Sequence, residues 1–297
     1  MAQQIGWELY RSFLGVLQEG SLSAAALALH LTQPTVGRHV TLLEDALGIA
    51  LFTRSQTGLL PTDAALSLCG HAQAMQSTAA SLERVAHGFG EGVRGTVRIS
   101  ASEVMGVEVL PPMLAALQAA HPELRLELVL SNRVQDLVHG EADIAVRMTA
   151  PRQEVLLATR VGNIELGLHA HQDYLTQRGH PTTLAALARH ALIGFDQETP
   201  FLRSARSAFA TWQRDNFTLR CDSDLGQLAL LRAGAGIGVC QIALARRNTE
   251  LVRVLAEEFS MPLATWVVMH ENLRTSPRCR TVFDALVQGL RLYAEQG

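Results

Sequence analysis

The chain contains no lysine: all 25 basic residues are arginine, set against 28 acidic residues for a formal net charge of −3. Bulk basicity therefore does not advertise a nucleic-acid partner. A polyanion would have to be met by a few well-placed cations, a task that suits arginine's planar, five-donor fork. Cysteine is scarce. Cys69, Cys221, Cys240 and Cys279 stand far apart with no C-x-x-C pair, which argues against a zinc site or disulfide framework and for reduced thiols in the cytoplasm. No apolar run approaches the ~20 residues that span a bilayer. The start, MAQQIGWELYRSF, lacks the basic-then-apolar order of a secretory signal, so a soluble cytoplasmic protein with no membrane partner is expected. No G-x-S-x-G elbow, P-loop or H-E-x-x-H appears, so no enzyme class has a motif behind it.

What is there begins with Ser21–Gly48, which reads as two short helices around a tight turn. Ser21 or Ser23 can cap the first helix, since a hydroxyl there accepts from the free first-turn amides. Ala24 to Leu29 is almost pure Ala and Leu, a slim helix that a neighbour can approach closely. His30-Leu31 makes the turn, and Thr32 caps a second helix with Pro34 in its first turn, where the missing amide proton costs little. Val36, Val40, Leu43 and Leu47 form one buried stripe, leaving Gln33, Thr35, Arg38 and His39 off it. A small helix followed by a polar-faced one is what a helix-turn-helix requires.

Around this motif, Ile5 to Gln18 reads as an amphipathic helix, and the pieces Leu51-Phe52 and Leu59-Leu60 flank a polar turn as a hairpin, or wing, with Arg54 near its start. Pro61-Thr62 opens a helix reaching about His87. Leu66, Cys69, Gln73, Gln76, Ala80 and Val85 give it only a thin apolar seam, which suits a linker pairing with a second copy of itself. Gly88 to Gly92 is a hinge by composition. Strand and helix then alternate: strands at 96–100, 124–130 and 143–148, helices at 102–119 (broken near Pro111-Pro112) and 134–139. This βαβαβ order implies a parallel sheet. Further strands fall at 165–170, 192–195, 218–221, 237–240 and within 261–270, with helices at 172–178, 184–188, 225–232 and 277–295. Two α/β lobes with a cleft between them fit this order.

GSLSAAALALHLTQPTVGRHVTLLEDALGIALFTR at 20–54, the Pro61-Thr62 helix start, DLVHGEADIAVR at 136–147 and GAGIGV at 234–239 together resemble the LysR-type bacterial transcriptional regulators. The likeness covers the whole chain, and its texture is closest to the glycine-cleavage and β-lactamase regulators. It implies a multi-domain protein: an all-α winged helix-turn-helix (1–60), a linker and dimerisation helix (61–89), and a two-lobed, periplasmic-binding-protein-like effector domain (90–297). Lobe 1 is expected at about 93–161 and 269–297, lobe 2 at about 162–268. It also implies a homodimer or homotetramer on double-stranded operator DNA, contact with RNA polymerase, a small-molecule effector in the cleft and no cofactor.

By the same resemblance, Gln33, Thr35 and Arg38 read bases or phosphate, His39 stands beside them, and Arg54 in the wing touches the DNA backbone. Gln suits adenine edges and Arg guanine edges or phosphate. Where the family commonly has serine this chain has Gly37, which removes a hydroxyl. Residues 1–60 hold three arginines against four acids, so DNA affinity must rest on placement. Ligands of two-lobed α/β folds sit at the carboxyl ends of strands. Those positions here are Ser100, Ser102, Asn132, Arg133, Arg147, Phe195, Asp222 and Ser223. Two arginines and helix starts among them point to a small anionic effector.

Three further features carry less. His169 and His171 share a strand face without a third ligand, so no metal site is expected. Gly234-Ala-Gly-Ile-Gly238 lacks dinucleotide-binding spacing and fits a tight helix end before a buried strand. Cys240-Gln241 stands where many family members have proline, and nothing local lowers the Cys240 pKa for a redox role. A transporter's solute-binding protein is the alternative, but it would leave residues 1–90 unexplained and needs a signal peptide.

Overall fold

The computed structural model describes residues 5–55, 58–87, 92–132, 142–151, 155–198 and 212–297. They fall into two compact units, one running to Glu83 and one from Arg84 onward.

In the first unit, α1 (Trp7–Glu19) packs on α2 (Leu22–Leu29) and α3 (Gln33–Leu47). Ser21 caps α2 by accepting from the Ala24 amide at 3.2 Å. Thr32 caps α3 by accepting from the Thr35 amide at 3.3 Å. Helix α3 stops at Gly48, whose φ of +70° is a left-handed conformation that costs a Cβ-bearing residue energy. Strands β1 (Phe52–Ser55) and β2 (Gly58–Pro61) pair antiparallel as the wing. Phe13, Leu14, Leu43 and Leu51 are buried together, beside a second cluster of Val16, Ala25, Ala26, Val36 and Val40. Each large side chain so buried contributes about 1.5–3 kcal/mol.

Helix α4 (Asp63–His87) starts at Thr62, whose hydroxyl accepts from the Ala65 amide at 3.2 Å. Its first half is not a free linker. Ala65 and Ala72 are buried in the Phe13 cluster, and Cys69 packs against it. Among its described residues, Leu66, Met75 and Leu82 are the large apolar side chains it leaves in solvent, at 58%, 41% and 70% exposure.

The second unit is built on a sheet of seven strands among the described residues. Strand β3 (Gly95–Ala101) lies between β4 (Leu124–Leu130) and β5 (Ile144–Arg147), all parallel. Strand β11 (Met261–His270) runs antiparallel to β5 and to β6 (Leu156–His171). The far half of β6 pairs with β9 (Ile237–Gln241) and β10 (Leu251–Val254). The sheet is therefore parallel only in its first-lobe part. Two short strands, β7 (Ile193–Gly194) and β8 (Leu219–Arg220), pair parallel in the second lobe. Between β3 and β4 come a π-helical turn (Met105–Val109) and α5 (Pro111–Ala120), which the two prolines open rather than break. Helices α6 (Gln172–Arg178), α7 (Asp224–Arg232) and α8 (Ile242–Ala245) belong to the second lobe. The closing helix α9 (Pro277–Ala294) covers the first. The segment at 184–188 is 3-10 rather than α-helical, over Leu184–Arg189.

One core holds Val97, Ile99, Ile144, Val267, Phe283 and Leu286; the other holds Leu168, Tyr174, Leu187, Trp212, Ile237 and Phe259. The helix expected at 134–139 lies outside the described residues, as does most of the hinge at 88–92.

Candidate functional site

In α3 the buried stripe fixes which residues face out. With Val36, Val40 and Leu43 turned into the core, Gln33 and Arg38 are exposed and Thr35 is half-buried. The Thr35 hydroxyl lies 2.8 Å from that of Thr32, so it is engaged in the cap. The His39 ring turns inward: Nδ1 is 2.8 Å from the hydroxyl of buried Ser12 on α1. It therefore ties α3 to α1 rather than standing on the outer face. A Cβ at Gly37 would have Leu22 Cδ1 as its nearest neighbour at 3.6 Å, so a serine fits there. Glu44 Oε1 accepts the amides of Leu51 at 2.7 Å and Phe52 at 3.1 Å, hanging the wing on α3. The Arg54 backbone lies in β1; its side chain is outside what the structure describes.

In the second unit, the predicted ligand positions separate into two groups. Ser100 is buried on β3 and accepts from both terminal nitrogens of Arg147, on β5, at 3.3 Å. Ser102 is half-buried at the same strand end and its carbonyl accepts from the Gly106 amide. Asn132 and Ser223 meet across the lobes through two residues that sequence reasoning missed, Glu103 and Asp224. Asn132 accepts from the Glu103 amide at 3.2 Å and donates to Asp224 Oδ2 at 2.9 Å. Ser223 caps α7 by accepting from the Gly226 amide at 3.3 Å and donates to Glu103 Oε2 at 2.8 Å. Asp222 is occupied by the loop after β7, accepting from the amides of Asp196 and Gln197 at 2.9 and 2.8 Å. Phe195 is half-buried at the end of β7. Arg133 lies outside the described residues.

Two more bridges cross between the lobes. Glu108 of the π-helical turn takes a bidentate bond from Arg232 at 2.7 and 2.8 Å. The Arg232 guanidinium holds the Glu108 carboxyl below its usual range. Tyr293 donates to Gln241 Oε1 at 2.6 Å, and Gln241 Nε2 reaches Met105 Sδ at 3.5 Å. That network accounts for glutamine at the end of β9, since a proline there could make neither bond. Its neighbour Cys240 is buried, which pushes the thiol up to about 12 and keeps it protonated. His169 and His171 are spent separately, the first on the Gly167 carbonyl at 3.0 Å and the second on the Asp173 amide at 3.2 Å.

A winged helix-turn-helix together with a two-lobed α/β unit defines a class: regulators that bind DNA and respond to a small ligand. The chain belongs to the LysR family. The pattern described as bacterial regulatory helix-turn-helix protein, lysR family, matches residues 7–66, and the LysR substrate binding domain matches residues 90–291. An HTH-type transcriptional regulator of Xanthomonas campestris pv. campestris (strain 8004) is 31% identical over 169 residues, 57% of this chain and 49% of that protein. CrgA of Neisseria meningitidis serogroup C (strain 8013) is 28% identical over 293 residues, 94% of this chain and 95% of CrgA. The match thus spans about half the length of the Xanthomonas relative and nearly all of CrgA. Among solved structures, CrgA from Neisseria meningitidis has a TM-score of 0.60 at 26% identity, covering 95% of this chain and 98% of that one. Full-length CbnR complexed with its target DNA has a TM-score of 0.66 at 19% identity, covering 97% and 100%. The likeness to CbnR is one of fold. Among the described residues, no single helix is long and apolar enough to cross a membrane.

Proposed function

We propose that this chain regulates transcription in the bacterial cytoplasm by binding operator DNA as a homodimer or homotetramer and responding to a small effector. In this reading residues 1–60 bind DNA, 61–89 link and dimerise, and 90–297 receive the effector. The observation that carries it is the outward face of α3, with Gln33 and Arg38 in solvent opposite a fully packed stripe. Thr35 and the free amides of the capped helix start supply further contacts to phosphate, and Arg54 in the wing extends them. His39 supports that face through Ser12. Leu66, Met75 and Leu82 on α4 are the side chains offered to a second copy. RNA polymerase is the downstream partner and no catalytic step is assigned.

The effector contacts are assigned to the strand ends: Ser100, Ser102 and Arg147 on one lobe with Asn132 beside them, and Phe195, Asp222 and Ser223 on the other; Arg133, next in the chain after Asn132, is assigned with them. An anionic group fits the Arg147–Ser100 end, where a guanidinium is presented by a buried hydroxyl. Footprinting on the intergenic region next to the gene, with and without candidate organic acids, tests the whole reading. Protection altered by an acid supports it; no protection anywhere in that region overturns it. Thermal melting isolates the effector class: a shift with a neutral or cationic ligand and none with carboxylates sinks the anionic assignment.

A further inference from the structure

The interlobe cleft carries a carboxylate on each wall. Glu103 lies between β3 and the π-helical turn, and Asp224 opens α7 on the opposite lobe. Each is held by a neutral side chain from the other lobe: Ser223 donates to Glu103 and Asn132 donates to Asp224. Among the described residues no arginine or histidine bonds either one. The other described charged groups on and beside these elements are engaged elsewhere, Arg98 of β3 with Glu127, Glu108 with Arg232 at the far end of α7, Arg147 with Ser100, and Asp222 with the backbone of Asp196 and Gln197. Among the described residues, Glu103 is the charged group that acts on Asp224. Two acids are thus brought together by closure itself, and among the described residues the side chains that bond them are neutral.

We propose that Glu103, Asn132, Ser223 and Asp224 form a proton-operated latch, in which Asp224 takes up one proton when the lobes close and releases it when they open. The inference rests on the reading of this unit as a two-lobed effector domain whose lobes move. Burial, then the charge of Glu103, pushes the Asp224 carboxyl up to about 6. In an opened cleft water relieves both penalties and the group returns toward the ordinary carboxylate value of about 4. A group with the higher pKa in the closed form binds its proton there, so acidification through about 6 stabilises closure. Above that pH an unneutralised pair of charges opposes it.

The test is an interlobe distance in the full-length protein. Nitroxides are attached through keto amino acids at exposed Ala119 on α5 and Glu257 after β10, leaving the native cysteines in place. The labelled chain is diluted into unlabelled chain, and electron–electron dipolar coupling is read between about pH 5 and about pH 8. The short-distance population should rise several-fold on acidification, with a midpoint near 6. Asp224→Asn, which imitates the protonated side chain, should stay closed across the range. Glu103→Gln should move the midpoint down toward the ordinary carboxylate value. Identical wild-type distances at every pH, or an Asp224→Asn protein that keeps the wild-type response, overturns the latch. Operator binding measured on the same samples separates the two readings: pH-invariant distances with intact binding remove the latch alone, whereas failure to bind operator removes the regulator assignment and leaves the distances to judge the latch.

Discussion

Glu44 and Leu51 are joined by a 2.7 Å hydrogen bond from the Leu51 amide to the Glu44 carboxylate, which also accepts the Phe52 amide at 3.1 Å. One side chain thereby sets where the wing leaves α3. Charge-assisted bonds of this kind contribute about 1.5–3 kcal/mol, less when partly solvated. Glu44→Ala should cost roughly 2 kcal/mol in urea denaturation and weaken operator binding. A variant of unchanged stability would show that water replaces the carboxylate without loss.

Arg38→Ala should reduce operator affinity at least about tenfold, the scale of one good base or phosphate contact, while size-exclusion volume and melting temperature stay unchanged. Near-native affinity would place the reading face elsewhere. The same titrations give the salt dependence. With three arginines in residues 1–60, the slope should be much shallower than the value near −10 seen when about ten phosphates are neutralised.

Gly37→Ser should stabilise the first unit by roughly 0.5 kcal/mol, because glycine is the poorer helix former and the new Cβ meets Leu22 Cδ1 at an ordinary contact distance of 3.6 Å. Operator affinity should hold or rise through the added hydroxyl. A less stable variant would mean that Leu22 cannot accommodate even this small side chain.

These features of α3 were legible because they are local. The Thr32 cap, the spacing of Val36, Val40 and Leu43 and the stop at Gly48 are all written within a few turns of one helix. Strand β6 was seen only as its second half, since Gly162-Asn163 imitates a turn and the first half is paired by a partner about a hundred residues away. Helix α4 was misjudged in its first turns because Ala65 and Ala72 bury themselves without an obvious apolar stripe. The cleft was the least legible part. Glu103 meets Ser223 and Glu108 meets Arg232 across more than a hundred residues, and no periodicity encodes a contact between lobes.

His169 gives a pH prediction of definite sign. Burial first, with a smaller push from Arg253, lowers its pKa to about 4 against the hydrogen bond to the Gly167 carbonyl. The unfolded chain titrates near 6.5 and so binds the proton first. Its contribution is full above about 6.5 and is lost as pH falls toward 4, on the order of 3 kcal/mol in all. Asp224 acts in the opposite sense, so the readout is a variant. His169→Gln, which can still donate to Gly167, should flatten the dependence of urea midpoint on pH across that window. An unchanged slope would show that the ring is already solvated.

Strand β6 has a consequence for how the molecule can be divided. It runs unbroken from Leu156, paired with β11, to His171, paired with β10, turning at Gly162 with φ of +143°. A cut there would leave each half with a sheet missing a strand and an exposed ladder of unpaired amides. The lobes are therefore not separable modules that could be expressed apart, exchanged between relatives or joined by an inserted tag at residue 162.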